Sequence, residues 1–237
     1  MTSSPILLIL GAGSGVGTAV TERFAKLGYK IALVSRRNSS PPSVTSEGYL
    51  SIRADLADVD AYKSIYDSIR ETFGGVPNVI VFNAYGLTAP SEEGNIFTVP
   101  LESFRHDLEL AVIGPYVAAR EAYRLWTEDN DETKRTFIYT GNIQAKKLLP
   151  MPVITSMGVT KRASYYWLGV ADKLYREKGF RFFFTDQRSS QGGPNNVAGP
   201  EEHAEMYERI VKSPDEYPFY ATFVDGKGLV QFEDSEE

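Results

Sequence analysis

The chain contains no cysteine and only two histidines, His106 and His203, among its 237 residues. The absence of cysteine excludes disulfides, thiolate metal sites and a cysteine nucleophile, and it suits a reducing compartment. Two histidines are too few for a histidine-rich site, so we expect no bound metal. The chemistry of this chain must therefore come from other side chains and from the backbone.

Long apolar runs and an excess of basic residues are also absent. No apolar run approaches the roughly 18 residues that a membrane-spanning helix requires, and residues 1–5 lack the basic segment that opens a secretory signal. The formal net charge of −6 argues against a nucleic-acid-binding surface. We therefore expect a cytoplasmic protein that binds neither nucleic acid nor membrane.

Short β-rich runs alternate with longer helical patterns, which is typical of a parallel sheet covered by helices on both faces. Strands are predicted at residues 6–10, 30–34, 50–53, 78–82, 136–140, 181–185 and 219–224. Helices are predicted at residues 18–27, 59–72, 101–127, 154–178 and 201–211. A chain of this length can bury its core as one unit. The pattern therefore predicts a single doubly wound α/β domain, residues 1–237, with about seven parallel strands.

Segment 187–200 is rich in glycine, proline and asparagine and follows the sixth predicted strand. We predict that it forms a loop on the substrate side of the domain. A solvated connector with no such role is the alternative. Residues 233–237 are predicted to form an acidic tail.

A glycine-rich turn joins the first predicted strand to the first helix. Gly11, Gly15 and Gly17 allow the backbone to approach a pyrophosphate, and the N–H groups of Ser14 and Val16 lie where the helix begins. The strand–glycine–helix context predicts a Rossmann-type fold that binds a dinucleotide. A tight turn without a ligand is the alternative.

The second predicted strand ends in Ser35, Arg36 and Arg37 rather than in an acidic residue. An aspartate at that place would bind the ribose 2′-hydroxyl and repel a 2′-phosphate, whereas arginine attracts the phosphate through charge-assisted contacts. The sequence therefore predicts NADP(H) as the cofactor. An ordinary solvated arginine pair is the alternative.

Four motifs together resemble those of the short-chain dehydrogenase/reductase family. In chain order they are Gly11-x-x-x-Gly15-x-Gly17, Asp55-Leu56, Asn83-Ala84 and Val224-Asp225-Gly226. Each motif is weak alone, but all four occur in the family's order and spacing. The resemblance implies that Asp55 and Leu56 contact the adenine and that Asn83 and Ala84 line the cofactor site.

In that family a serine orients the substrate carbonyl, a tyrosine donates the proton, a lysine supports the tyrosine and holds the ribose, and an asparagine serves a water relay. The resemblance places Lys161 at the lysine position and Met157 at the tyrosine position. It places Ala111 at the asparagine position and either Gly141 or Asn142 near the serine position. A thioether has no proton to donate, and none of the 14 tyrosines is followed four residues later by lysine. The resemblance thus indicates an atypical member.

Other side chains are candidates for the missing roles. Tyr165 lies one helical turn after Lys161, so the two share a face of the predicted helix and could touch. Core packing is the alternative role for Tyr165. Tyr139 lies on the strand that leads to the serine position. Asn142 could hydrogen-bond a carbonyl, although an amide transfers no proton.

A charged segment, Asp186-Gln187-Arg188, stands where the family has Pro-Gly after the sixth strand. We expect it to bring a charged group into the pocket. Residues 101–127 and 154–178 form the two long predicted helices, which in the resembled family pack between subunits. The resemblance therefore predicts a homo-oligomer, a dimer or a tetramer.

Three functions remain compatible with the sequence. The first is an NADPH-dependent oxidoreductase of a small organic substrate that takes its proton from water or from a displaced side chain. The second is a non-catalytic NADP(H)-binding sensor or partner protein. The third is a pocket recruited for non-redox chemistry. Hydride transfer is the chemistry of the cofactor and requires mainly positioning, so the first function is favoured.

Overall fold

The computed structural model describes residues 4–129, 133–195 and 197–233. These residues contain nine strands: β1 (Ile6–Leu10), β2 (Lys30–Ser35), β3 (Ser43–Val44), β4 (Leu50–Arg53), β5 (Val79–Phe82), β6 (Arg135–Thr140), β7 (Phe180–Arg188), β8 (Tyr220–Val224) and β9 (Gly228–Leu229). They form one sheet in the order β3-β4-β2-β1-β5-β6-β7-β8-β9. The seven strands from β4 to β8 pair in parallel, which confirms the predicted sheet. β3 and β9 are short antiparallel additions at its two edges.

Helices cover both faces of the sheet. They are α1 (Val16–Lys26), α2 (Ala61–Phe73), α3 (Leu101–Leu108), α4 (Gly114–Glu128), α5 (Thr155–Tyr175) and α6 (Pro200–Lys212). The apolar residues of α2, α4 and α5 pack on one face, and those of α1 and α6 pack on the other. None of the helices in the described ranges is long and apolar enough to cross a bilayer.

The side chains of β1 show why the central strands read as continuous apolar runs. All five of its residues are buried, with Leu8 and Leu10 in the core of one face and Leu7 and Ile9 in the core of the other. A parallel strand covered on both faces has no solvent-facing side. Burial of each such side chain stabilises the fold by about 1.5–3 kcal/mol.

Two predicted elements differ from the structure. The predicted helix 101–127 follows one helical path, but a π-helical turn, Glu109–Ile113, separates α3 from α4. The sixth predicted strand, 181–185, is longer than expected and extends through Arg188. The predicted acidic tail lies, beyond Glu233, outside the described residues.

The strand order brings the loops of interest to one edge of the sheet. β1 pairs with β2 on one side and with β5 on the other, so the chain reverses its direction of travel across the sheet at β1. In open α/β sheets, ligands bind outside the carboxyl ends of the strands at such a point. The loops that follow β1, β5, β6 and β7 all open at this edge.

Candidate active site

The turn after β1 requires glycine at its first position. Gly11 has a φ of +96°, and its N–H and that of Ala12 both donate to the carbonyl of Val34 at 3.0 Å. A Cβ on Gly11 would lie 2.6 Å from the backbone nitrogen of Ala84. The turn after β1 and the segment after β5 are therefore in backbone contact, and only glycine fits between them.

The next part of the turn is open to solvent. Gly13, Ser14 and Gly15 are exposed, and a Cβ on Gly13 or Gly15 would meet no atom within 4 Å. Helix α1 begins at Val16 with no side-chain cap and no acidic residue in its first turn. The first N–H groups of a helix lack acceptors within it, and its positive end favours anions. The turn therefore fits the pyrophosphate of a dinucleotide.

We expect alanine substitutions at Gly11 and Gly13 to separate folding from binding. Gly11→Ala should lower the free energy of unfolding by about 1–3 kcal/mol, because the residue would be strained and pressed against Ala84. Gly13→Ala should leave that free energy unchanged but weaken NADPH binding, because its Cβ would project toward the pyrophosphate. Chemical denaturation and NADPH titration of both variants would check this. Equal losses of stability would contradict the assignment.

The end of β2 presents two arginines without acidic partners. Arg36 and Arg37 are exposed, and neither forms an ion pair or a side-chain hydrogen bond with another described residue. Ser35 is held in the turn, where its hydroxyl donates to Asn38 Oδ1 at 2.7 Å. The two guanidinium groups are thus available to an anion beside the glycine-rich turn, which suits a 2′-phosphate.

The segments after β4 and β5 complete this side of the site. The carboxylate of Asp55 is exposed, and it accepts the N–H of Ala57 at 3.1 Å. Leu56 is buried, and its carbonyl accepts the Tyr62 hydroxyl at 2.8 Å. Asn83 Nδ2 donates to the Gly11 carbonyl at 3.1 Å. The structure therefore brings the predicted cofactor residues together at one edge of the sheet.

Lys161 lies in α5 and its side chain crosses to the end of β6. Its Nζ donates to the Thr140 carbonyl at 2.7 Å and to Tyr139 Oη at 3.4 Å, and it lies 4.5 Å from the centre of the Tyr139 ring. Only 4% of the lysine is exposed. Burial disfavours the charged form and lowers the pKa of Lys161 to about 7.

Met157, one helical turn before this lysine, is in contact with Asn142. Asn142 Nδ2 lies 3.1 Å from Met157 Sδ, while its Oδ1 accepts the N–H of Gln144 at 3.0 Å. Met157 precedes Lys161 by one helical turn, so the two side chains share a face of α5. Asn142 thus contacts Met157, and Lys161 lies one turn further along the same face of α5.

Tyr165 does not join these residues. Its ring packs against Phe184, Phe219 and Tyr220 with centroids 5.0 to 5.6 Å away, and Lys146 Nζ lies 4.7 Å from its centre. The expectation that Tyr165 touches Lys161 is not met, because the lysine turns toward β6 instead. The structure thus records packing contacts for Tyr165, which is the alternative role.

Two buried hydroxyl groups, those of Tyr139 and Ser164, contact Ala111 in the π-helical turn. The Ala111 carbonyl accepts the Tyr139 hydroxyl at 3.0 Å and the Ser164 hydroxyl at 2.8 Å. Both donors are fully buried. Ser164 was not among the residues predicted for this site, although its spacing of three residues from Lys161 on a helix could have indicated it.

The structure contradicts the expected charged group in the pocket. Asp186 and Arg188 belong to β7 and are buried, and their side chains are hydrogen-bonded to each other. The Tyr220 hydroxyl donates to Asp186 Oδ2 at 2.6 Å and accepts from Arg188 at 2.6 Å. The two charges neutralise each other inside the fold, so neither is presented to a ligand.

Segment 187–200 is anchored at both ends. Arg188 donates to the Gly192 carbonyl at 2.8 Å, and Gln187 Oε1 accepts the N–H of Gly199 at 2.7 Å. The buried His203 ring contacts the Gly199 carbonyl at 2.7 Å, and burial lowers the pKa of His203 to about 4. These contacts hold the ends of the loop beside the site.

Another hydrogen bond connects the segment after β5 to α5. The Thr88 N–H donates to Ser156 Oγ at 3.1 Å, which joins the segment after β5 to the first turn of α5. This hydrogen bond therefore holds the segment after β5 against the helix that carries Met157 and Lys161.

Comparison with known proteins gives a consistent result. The family model described as short chain dehydrogenase matches residues 5–149. A protein named short chain dehydrogenase/reductase dmxR12, from Cryptosporiopsis sp., is 32% identical over 97% of this chain and 96% of its own length. A glucose 1-dehydrogenase from Gluconobacter oxydans is 27% identical over 66% of this chain and 58% of its own length.

Solved structures show the same fold. A 3-ketoacyl-(acyl-carrier-protein) reductase from Brucella melitensis, complexed with NADH, superposes with a TM-score of 0.79 at 19% identity, over 94% of this chain and 98% of that one. A short-chain dehydrogenase/reductase from Serratia marcescens superposes with a TM-score of 0.76 at 19% identity, over 94% and 97% of the two chains.

Proposed function

Because the chain belongs to the short-chain dehydrogenase/reductase family, we propose that it is an NADP(H)-dependent reductase of a small organic substrate that works without a tyrosine as proton donor. Members of this family are oxidoreductases that use a nicotinamide dinucleotide. The observation that carries the proposal is the open glycine turn at an uncapped helix, with two exposed arginines beside it.

The preference for NADP(H) rests on charge. Arg36 and Arg37 stand where a 2′-phosphate would lie, and no described carboxylate pairs with either of them. A phosphate with two guanidinium partners gains charge-assisted hydrogen bonds that the 2′-hydroxyl of NAD(H) cannot match.

The proposal that the site lacks a tyrosine proton donor depends on the position of Met157. Met157 lies one turn before Lys161 and contacts Asn142 at 3.1 Å, which supports placing it where the family has its tyrosine. NADPH supplies a hydride when it is bound. The amide nitrogen of Asn142 contacts Met157 Sδ at 3.1 Å and Gln144 Oε1 at 3.3 Å. Exchange of one of these contacts would let the amide donate to an acceptor oxygen, while Lys161 supplies positive charge nearby. Acceptors that become a delocalised anion on taking up the hydride, such as enones and quinones, or a neutral amine, such as protonated imines, suit such a site best.

Several exposed apolar side chains lie on the loops that open at this edge of the sheet. Exposed members follow β5 (Tyr85 and Leu87), β6 (Leu148 and Met151) and β7 (Val197). An exposed apolar surface around a cleft is characteristic of a ligand-binding rim. We therefore propose a neutral and largely apolar substrate.

The proposal predicts NADPH consumption with activated acceptors. The protein would be incubated with NADPH and a panel of ketones, enones, quinones and imines while the NADPH absorbance is followed. We expect turnover of apolar enones, quinones or imines and little turnover of simple ketones. Tight NADPH binding with no turnover would instead favour a non-catalytic NADP(H)-binding protein, which the methionine at position 157 would also suit.

We further propose that the chain forms a homo-oligomer through α4 and α5. A groove of about 310 Å³ lies between these helices, and its rim carries the exposed side chains of Tyr116, Tyr166, Val170 and Leu174. Tyr166 is 75% exposed and Leu174 is 62% exposed, and such exposure is unusual for large apolar residues two turns apart on one face of a helix.

Sedimentation should therefore show a dimer or a tetramer at micromolar concentration. A variant with Tyr166→Glu and Leu174→Glu is expected to sediment as a monomer, because two charges would be buried in the interface. Val44→Glu, on the exposed edge strand β3, is the matched control and should leave the assembly intact. A monomeric parent protein would refute this proposal.

A further inference from the structure

Lys161 is a buried basic side chain. No described acidic group forms an ion pair with it, and its recorded partners are the Thr140 carbonyl, the Tyr139 hydroxyl and the Tyr139 ring. A buried ammonium without an opposite charge is costly. Such a group is retained where its charge or its proton is used, so this lysine points to chemistry beyond packing.

Tyr139 is held rigidly under the ammonium. Its ring is stacked between Phe82 and Phe184, with centroids 5.8 Å and 5.4 Å away. Its hydroxyl donates to the Ala111 carbonyl at 3.0 Å, so an oxygen lone pair is left for Lys161. The π-helical turn leaves this carbonyl with two side-chain donors, Tyr139 and Ser164.

Tyr139 cannot itself protonate a substrate. Its side chain is completely buried, and burial raises the pKa of its phenol above the ordinary value. Lys161 differs, because two of its N–H groups have recorded acceptors and the third has none among the described residues. The lysine also shares a face of α5 with Met157, which contacts Asn142. The third N–H is therefore the one that remains for an acceptor bound beside Met157 and Asn142.

We propose that Lys161 donates the proton in this site and that Tyr139 is the positioning residue that holds its ammonium group. The inference rests on the proposed reductase function. As the hydride bonds to the acceptor, the electron pair of its double bond moves to the acceptor heteroatom. The Lys161 N–H bond then breaks, its electron pair stays on nitrogen, and the proton bonds to that heteroatom. A proton from solvent restores the ammonium.

The pH dependence follows from this role. Because the pKa of Lys161 is lowered to about 7 by burial, the ammonium is present below that pH and is lost above it. Tyr139 is the titratable group that contacts it from β6 within the described residues. We expect the reduction rate to be constant at acid pH and to fall as the pH rises through about 7.

An NMR titration measures the ionisation of Lys161 directly. Protein labelled with ¹³C at the lysine ε-carbon would be titrated by NMR, and Lys161→Met would assign the signal. We expect Lys161 to titrate near pH 7 in the parent and about one pH unit lower in Tyr139→Phe, because the ammonium would lose one acceptor. The inflection of the rate profile should move by the same amount, with the KM for NADPH unchanged. Tyr165→Phe, which removes the other phenol one turn away, should move neither.

Lys161→Arg completes the test, because it keeps the positive charge but cannot release a proton near neutral pH. It should bind NADPH and lose at least about 100-fold in kcat. A Lys161 signal that titrates near pH 10, identical titrations in the parent and Tyr139→Phe, or full activity in Lys161→Arg would overturn the proposal. A parent that binds NADPH and reduces nothing would refute the reductase function, whereas the NMR titration would still decide whether Tyr139 sets the ionisation of Lys161.

Discussion

Replacing Met157 with tyrosine is expected to raise the rate of ketone reduction by about 10²–10⁴-fold, the usual contribution of general acid catalysis. The new phenol would stand one helical turn before Lys161, on the same face of α5. The ammonium would favour the phenolate and lower the pKa of the new tyrosine. The gain should appear on simple ketones, for which the parent is expected to be poor. Rates of NADPH consumption at saturating cofactor would measure it.

Met157→Phe is the matched control for this substitution, because it adds the ring without the hydroxyl. A second change, Asn142→Ser, addresses the amide that lies 3.1 Å from the methionine sulfur and would replace it with a smaller hydroxyl. If Met157→Tyr with Asn142→Ser binds NADPH but reduces ketones no faster than Met157→Phe, the lost phenol is not what limits this site.

Removing both arginines after β2 is expected to weaken NADPH binding by roughly 10²–10⁴-fold. Each charge-assisted hydrogen bond to the 2′-phosphate contributes about 1.5–3 kcal/mol, and Arg36 and Arg37 have no ion-pair partners among the described residues to replace it. The affinity for NADH should change little, because its ribose hydroxyl gains little from the charge. Titration calorimetry of Arg36→Ala/Arg37→Ala with both cofactors would check this.

Arg70→Ala is the control for that variant. Arg70 is an exposed arginine in the last turn of α2, so its loss changes the net charge without touching the end of β2. Equal affinities of the parent for NADPH and NADH, or equal effects of the Arg36/Arg37 and Arg70 variants, would contradict the assignment of the phosphate site.

The parallel strands and the glycine turn could be predicted because local sequence determines them. Fully buried strands such as β1 are continuously apolar, and a backbone at a φ of +96° with Ala84 against it accepts only Gly11. The two-residue edge strands could not be predicted, because so short a segment carries no periodic pattern.

The contacts around Lys161 and at the end of β7 could not be predicted from the sequence, because they join distant parts of the chain. Helical spacing favoured Tyr165 as the partner of Lys161, but the lysine side chain crosses to Tyr139 on β6 instead. Asp186 and Arg188 were expected in the pocket because they stand where the resembled family has Pro-Gly after the sixth strand. They are buried because they pair with each other and with Tyr220, which only the register of β7 and β8 brings together.

The most direct test of the central claim, that this chain is an NADPH-dependent reductase, is deuterium transfer from labelled cofactor. NADPH carrying deuterium at the transferable position of the nicotinamide would be mixed with the protein and the panel of apolar enones, quinones and imines, and the products would be analysed by mass spectrometry. The account predicts one deuterium in the reduced product, and none when the protein is omitted. Saturating NADPH binding without deuterium in any product would contradict it.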